Sequence, residues 1–75
     1  MDIQTTSIDG LLVINPSVIQ DNRGYFFESY NLQQFDQLGL NTEFVQDNES
    51  KSPQNVLRGL HFQTPPHAQA KLVRV

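Results

Sequence analysis

The stretch that decides the fold is Asp21-Asn22-Arg23-Gly24-Tyr25-Phe26-Phe27-Glu28-Ser29-Tyr30. Its first four residues predict a turn, because Asn and Gly tolerate the positive φ that tight turns require. Its last six residues include four aromatic side chains, a composition typical of a β-strand. The strongest local signal in the chain is therefore a turn that leads into a strand.

Further strands are predicted on both sides of this stretch. Before it, residues 3–8 form a weak candidate that ends at the turn signal Asp9-Gly10. Residues 11–14 form a second candidate, which Pro16 ends or moves to a sheet edge. After it, strands are predicted at residues 43–47, at 55–63 and from 72 onward, with loops at 48–54 and 64–70. These assignments predict many short strands.

One short helix is predicted between the strands. Asn31 can cap it, Leu32, Phe35 and Leu38 recur at helical spacing, and Gly39 suits the first position after it. Many strands and one helix predict a mainly β, antiparallel barrel or sandwich. An open set of strands leaves unpaired edges, which proteins cover or pair with another strand. A strand of a second subunit could therefore pair with one of these edges.

Composition limits the classes of function. A chain of 75 residues forms one domain at most and buries about 60% of its unfolded surface. It has no cysteine, which excludes disulfides, thiolate metal sites and a cysteine nucleophile. A net charge of −3 argues against binding nucleic acid through its phosphates. The N-terminus lacks the pattern of a signal peptide and no apolar run can span a bilayer, so we expect a cytoplasmic protein without membrane contact.

The residues best suited to chemistry lie in the stretch Val56-Leu57-Arg58-Gly59-Leu60-His61-Phe62-Gln63, with Lys71 after a short loop that contains Pro65-Pro66. His61 is a candidate general base, because its pKa range lets it exchange protons near neutral pH. If Gln63 and Lys71 face each other across the loop at 64–70, strand alternation places His61, Gln63 and Lys71 on one face. The alternative is a histidine that only packs within the sheet.

Arg58 is harder to place, because three positions separate it from His61 along a strand. It should then point to the opposite face, unless Gly59 marks a bulge that redirects its side chain. Without such a bulge, Arg58 is a solvated surface residue. His61 and His67 are the only imidazoles and lack clustered carboxylates, so no metal site is expected.

A second set of polar and aromatic residues could hold a ligand. Phe26 and Glu28 share a strand face, with Arg23 in the preceding turn, and together they offer a ring, a carboxylate and a cation. Gln46 and Asn48 place amide groups at a strand end. By themselves, these residues fit an ordinary edge strand and a turn equally well.

Four segments in order resemble the cupin-fold dTDP-4-dehydrorhamnose 3,5-epimerase family of the dTDP-L-rhamnose pathway. They are residues 21–30, 44–48, 50–63 and 69–74. The resemblance implies an antiparallel jelly-roll barrel, with residues 1–75 as the N-terminal part of a single cupin-like domain. It implies an isomerase that converts dTDP-4-dehydro-6-deoxy-D-glucose to dTDP-4-dehydro-L-rhamnose.

The resemblance also implies residue roles. His61 would remove protons from the carbons beside the C4 ketone, and Lys71 and Arg58 would stabilise the enolate. The nucleotide sugar would be held by Arg23, Phe26, Glu28, Gln46 and Asn48. The segment that contains Arg23 would exchange into the neighbouring site of a homodimer. No metal or redox cofactor is implied, because the ketone already acidifies the neighbouring protons.

Family members are longer than 75 residues. The tyrosine that donates a proton and the aspartate that orients the histidine lie after the position that corresponds to residue 75. We therefore expect the isolated chain to be inactive or nearly so, because a histidine without its orienting carboxylate loses control of its tautomer. Three alternatives stay open. They are a related single-centre dTDP-sugar epimerase, a non-catalytic fragment that binds nucleotide sugar or pairs with another subunit, and a metal-dependent cupin.

Overall fold

All regular secondary structure lies in the first part of the chain. A computed structural model describes all 75 residues and divides them into two units, Met1–Glu43 and Phe44–Val75. The elements in chain order are β1 (Asp2–Thr5), β2 (Leu12–Asn15), β3 (Ile19–Asp21), β4 (Gly24–Phe26) and α1 (Leu32–Gln37). The strands form two antiparallel pairs, β1 with β2 and β3 with β4. The predicted class, antiparallel β with one short helix, is confirmed.

The first hairpin has Ile3 opposite Ile14 and Thr5 opposite Leu12. Its connection contains the predicted turn, in which Gly10 has a φ of +82°, a value that glycine adopts without steric cost. Strand β1 ends earlier than predicted, at Thr5, and β2 is shifted by one residue. Strand β2 ends immediately before Pro16, as predicted, since proline has no N–H for the ladder.

The second hairpin differs from its prediction in two ways. Its first strand, β3, was not predicted, and the strand expected over residues 25–30 is present only as Gly24–Phe26. A strand extends only as far as its hydrogen-bonding partner, and β3 has three residues. The turn lies where it was predicted, but only Gly24 takes a positive φ, at +128°.

The helix matches its prediction at both ends. The Asn31 side chain accepts a hydrogen bond from the Gln34 N–H at 3.0 Å, as an N-cap residue does. After the C-cap, Gly39 has a φ of +80° and its N–H donates to Asp36 O, while Leu40 N–H donates to Phe35 O. These two bonds form a Schellman motif. The helix has six residues, and no helix of the chain is long and apolar enough to cross a bilayer.

The core of the first unit is one side chain. Phe35 is 1% exposed and is the one fully buried hydrophobic residue of the chain. Its ring meets the Tyr30 ring edge-to-face, with 4.8 Å between centroids and 77° between planes. Aromatic pairs favour this geometry because the positive edge of one ring meets the negative face of the other. The segment before α1 and the helix are therefore packed together through Phe35.

Residues 44–75 contain turns but neither strand nor helix. The strands predicted at 43–47, at 55–63 and from 72 onward are therefore wrong for this chain. Their alternating apolar side chains stay exposed, at 92% for Leu57 and 82% for Phe62. A strand is held by cross-strand hydrogen bonds, and no segment of this unit pairs with another. The loops predicted at 48–54 and 64–70 are present, the second with a hydrogen bond from His67 N–H to Thr64 O at 2.8 Å.

Candidate functional site

One cavity in the second unit contains both residues expected to act on a substrate. This His61–Lys71 cavity has a volume of about 310 Å³ and is lined by His61, Phe62, Gln63, Ala68, Gln69 and Lys71. The turn at residues 64–67 brings its two sides together, without the strand pairing that was expected. Pockets for small ligands span roughly 300–1,000 Å³, so this cavity lies at the small end of that range, and all of its lining residues are exposed.

The polar groups of this cavity are not engaged with one another. The Lys71 ammonium forms no ion pair, and the His61 imidazole has no hydrogen-bond partner in the chain. A cation without a counter-charge can attract a developing oxyanion. By contrast, nothing within the 75 residues fixes which nitrogen of His61 carries the proton. The cavity thus brings an imidazole and an ammonium group together, but no group that orients the imidazole.

Arg58 does not join this cavity. Its Nε donates to Ser52 Oγ at 2.6 Å and its Nη2 donates to Lys51 O at 3.4 Å. The bulge considered at Gly59 does not form, because a bulge requires a paired strand. The structure therefore directs the guanidinium toward residues 51–52, and the expected group of Arg58 with Lys71 is not assembled.

A second cavity lies in the first unit, with a volume of about 380 Å³. It is lined by Met1, Ser17, Ile19, Phe26, Phe27, Glu28, Gln34, Gln37 and Leu38. Phe26 and Glu28 are together in this Phe26–Glu28 cavity, as expected, although β4 ends at Phe26. The Glu28 carboxylate accepts hydrogen bonds from Asn31 Nδ2 at 3.2 and 3.4 Å, so the helix cap also positions Glu28.

Arg23 does not line the Phe26–Glu28 cavity. Its Nη2 lies 2.6 Å from Asp21 Oδ2 and its backbone N–H donates to Asp21 Oδ1 at 2.8 Å. These hydrogen bonds, with the side-chain bond as the larger cause, hold the pKa of Asp21 below its ordinary value of 3.8. The ion pair is exposed, so it contributes little to folding stability. Arg23 is held across the turn by Asp21 and does not join Phe26 and Glu28 in their cavity.

Gln46 and Asn48 contact each other in the second unit. Gln46 Nε2 donates to Asn48 Oδ1 at 3.2 Å, and neither residue lines the His61–Lys71 cavity. The prediction missed Gln69, which does line it. Strand alternation could have identified Gln69, because it lies two positions before Lys71. The chain gathers no group of three or more metal-ligating side chains.

The sequence of the chain matches one protein family and several curated relatives. The family described as dTDP-4-dehydrorhamnose 3,5-epimerase matches residues 5–75. The dTDP-4-dehydrorhamnose 3,5-epimerase of Salmonella typhimurium is 56% identical over 75 residues, which are 99% of this chain and 41% of that protein. The enzyme of the same name from Methanothermobacter thermautotrophicus is 56% identical over 70 residues, or 93% of this chain and 37% of that protein.

A more distant relative carries a different name. The dTDP-4-dehydrorhamnose 3-epimerase of Streptomyces niveus is 35% identical over 74 residues, which are 97% of this chain and 36% of that protein. No solved structure matches the chain significantly. The chain spans about two fifths of the length of the Salmonella and Methanothermobacter relatives. Because the family match extends over nearly the whole sequence, the chain belongs to the dTDP-4-dehydrorhamnose 3,5-epimerase family.

Proposed function

We propose that the protein carrying this chain epimerises C3 and C5 of dTDP-4-dehydro-6-deoxy-D-glucose and yields dTDP-4-dehydro-L-rhamnose. The observation that carries the proposal is the position of His61 and Lys71 around one cavity, in a chain of this family. A base and a cation within one small cavity are the two groups that deprotonation beside a ketone requires. The protein is proposed to act in the cytoplasm.

The chemistry follows from the ketone. A proton on a carbon beside C4 is acidic because the resulting negative charge moves onto the ketone oxygen. His61 would take that proton, and Lys71 would lie close enough to the oxygen to stabilise the enolate. Return of a proton to the opposite face inverts the carbon. The returning proton must reach the opposite face of the carbon, and we propose that it comes from a group outside the His61–Lys71 cavity.

The nucleotide is proposed to bind through residues expected for that role. Phe26 offers a ring for stacking and Glu28 a carboxylate for hydrogen bonds within their shared cavity. Gln46 and Asn48 offer amides, and Arg23 could meet a diphosphate if its bond to Asp21 opened. We also propose that the protein is a homodimer in which the segment containing Arg23 exchanges between subunits.

Arg58 is proposed to join the site only when substrate is bound. Its hydrogen bond to Ser52 Oγ is exposed to solvent, and such bonds have a small net free energy, about 0.5–1.5 kcal/mol, or up to about 3 kcal/mol with a charged donor. An anionic ligand could therefore replace the Ser52 hydroxyl as its partner. Removing the hydroxyl with Ser52→Ala would then leave ligand affinity unchanged or improved.

The experiment that tests the function uses a chimera with the Salmonella relative. Residues 1–75 of this chain replace the aligned part of that enzyme, and deuterium uptake at C3 and C5 is followed by NMR in D₂O. We expect uptake at both carbons, lost in His61→Ala by roughly 10²–10⁴-fold, the usual contribution of a general base. His67→Ala is the matched control, since His67 lies on the adjacent turn and does not line the cavity.

Two results would contradict the proposal. Equal uptake in the His61→Ala and His67→Ala chimeras would remove His61 as the base. In the full-length protein that carries this chain, uptake at C3 alone would support the single-centre alternative, the activity named for the Streptomyces niveus relative, dTDP-4-dehydrorhamnose 3-epimerase. The pattern of labelled carbons therefore separates the two epimerase functions.

The chain by itself is proposed to lack activity. The observation that favours this is the His61 imidazole without a hydrogen-bond partner, because an unoriented base is a poor catalyst. Deuterium uptake by the 75-residue chain should equal the buffer rate. Titration with dTDP then tests the non-catalytic binding function: saturable binding that weakens in Glu28→Ala supports it, and linear, non-saturating signal rejects it.

A further inference from the structure

We propose that Asp9–Gly10 is a site of spontaneous aspartate isomerisation in the folded chain. It is the only position where an Asp or Asn precedes a glycine. Glycine in the following position favours this reaction, because its backbone nitrogen is not shielded by a side chain. The site lies in the turn that joins β1 to β2, and neither residue lines either of the cavities described above.

The reaction uses only groups present in the chain and water. The backbone nitrogen of Gly10 attacks the side-chain carboxyl carbon of Asp9, a C–N bond forms, and one water leaves. The product is a five-membered cyclic imide. Hydrolysis then adds one water to either carbonyl, and this restores aspartate or produces isoaspartate, in which the main chain continues through the side-chain carboxyl. No oxidant or cofactor takes part.

The structure leaves both reacting groups available. The Asp9 carboxylate and the Gly10 N–H take part in no hydrogen bond or ion pair, and both residues are exposed. The bonds that hold the turn bypass them: Leu11 N–H donates to Ile8 O at 3.1 Å, and the Thr6 hydroxyl donates to Leu11 O at 2.9 Å. The space around Gly10 is open, with no atom within 4 Å of an added Cβ.

The other aspartates lack this combination. Asp21 is held by Arg23 through its carboxylate, and Asp36 lies within α1, where the backbone is helical. Asp2 precedes the branched Ile3 in a strand, and Asp47 precedes an asparagine whose side chain restricts approach to its nitrogen. These four residues serve as internal controls within one molecule.

Isomerisation would change the first hairpin. Isoaspartate adds one methylene to the main chain inside the connection between Thr5 and Leu12, which are paired in the register of β1 and β2. A hairpin register depends on the length of its loop. The lengthened connection should therefore shift or separate these strands, and aged protein would form a distinct species.

The test is incubation of the chain in mildly acidic buffer, followed by tryptic digestion and electron-transfer fragmentation, which locates isoaspartate by its characteristic backbone fragments. We expect severalfold more isoaspartate at residue 9 than at any other aspartate, together with an imide form that is lighter by one water. Asp9→Glu should abolish the product, since its imide ring would be six-membered. Asp9→Asn should accelerate it, because the same imide then forms by loss of ammonia.

Three results would overturn the proposal. The first is no isoaspartate at residue 9, and the second is an equal amount at Asp2 or Asp47. The third is conversion only in concentrated urea, because that would mean the folded turn protects the site. Asp9→Glu keeps the charge and the glycine, so its circular dichroism spectrum separates loss of reaction from loss of the fold.

Discussion

Replacing Phe35 with alanine tests what holds the first unit together. Phe35 is 1% exposed and no other hydrophobic side chain is fully buried. Helix α1 has six residues, and helices shorter than roughly 12 residues are marginal in water without tertiary contacts. The helix therefore depends on the contact that Phe35 makes with Tyr30 and its surroundings.

The magnitude follows from the burial of this ring. Replacing a buried Phe with Ala costs about 3–5 kcal/mol, of which the edge-to-face pair contributes about 0.5–1.5 kcal/mol. Folded domains hold about 0.05–0.15 kcal/mol per residue, so a 75-residue chain has about 4–11 kcal/mol in total. Phe35→Ala should thus remove a large share of the stability and lower the folded-to-unfolded ratio by roughly 10²–10⁴-fold.

The assay is urea unfolding followed by the near-ultraviolet circular dichroism of the aromatic rings. Leu32→Ala is the matched control, since Leu32 lies on the same helix and is 53% exposed; its cost should stay below about 1 kcal/mol. Tyr30→Leu removes the ring pair and keeps an apolar side chain at this position. If the midpoint of Phe35→Ala moves no further than that of Leu32→Ala, burial of Phe35 is not what stabilises this unit, and the reasoning fails.

Two further predictions concern the N-cap of α1 and the ion pair between Asp21 and Arg23. Asn31→Ala should destabilise α1 by about 0.5–2 kcal/mol, measured by far-ultraviolet circular dichroism in urea. Asn31→Ser keeps a capping oxygen without placing a second carboxylate beside Glu28, so it should cost less; equal losses would reject the cap. The pKa of Asp21 is lowered in the folded chain. The small stability that comes from its ion pair with Arg23 is therefore present above pH 3.8. It is lost as the pH falls through the lowered pKa of Asp21. Arg23→Gln should raise the pKa of Asp21 in an NMR titration, and an unchanged pKa would remove Arg23 as the cause.

Features that depend on neighbouring residues were predictable from the sequence. The cap at Asn31, the end of α1 at Gly39 and the turn at Gly10 each result from one side chain or one permitted φ within a few residues. Phe35 could be assigned to the helix by spacing, but not as its only buried member. Leu32 and Leu38 have the same periodicity and stay at least partly exposed, because burial depends on what the helix face meets.

Features that depend on distant partners were not predictable in this way. The alternation at residues 55–63 predicted a strand, but no segment of the second unit supplies the cross-strand hydrogen bonds. Arg23 and Arg58 were predicted to face a ligand, and each instead binds a nearby oxygen, of Asp21 and Ser52 respectively. A long cationic side chain satisfies its donors with the closest acceptor available, and only the folded arrangement shows which acceptor that is.

The sequence by itself determined the family, the antiparallel β class and the helix with both its ends, and it predicted which residues could carry the chemistry. Tertiary structure decided which of those residues meet: His61 with Lys71 across one turn, and Phe26 with Glu28 beside α1. The physical reason is the range of the interactions. Caps, turns and φ preferences act over a few residues and are encoded locally, whereas strand pairing, burial and the choice of hydrogen-bond partner depend on which segments meet in the folded chain.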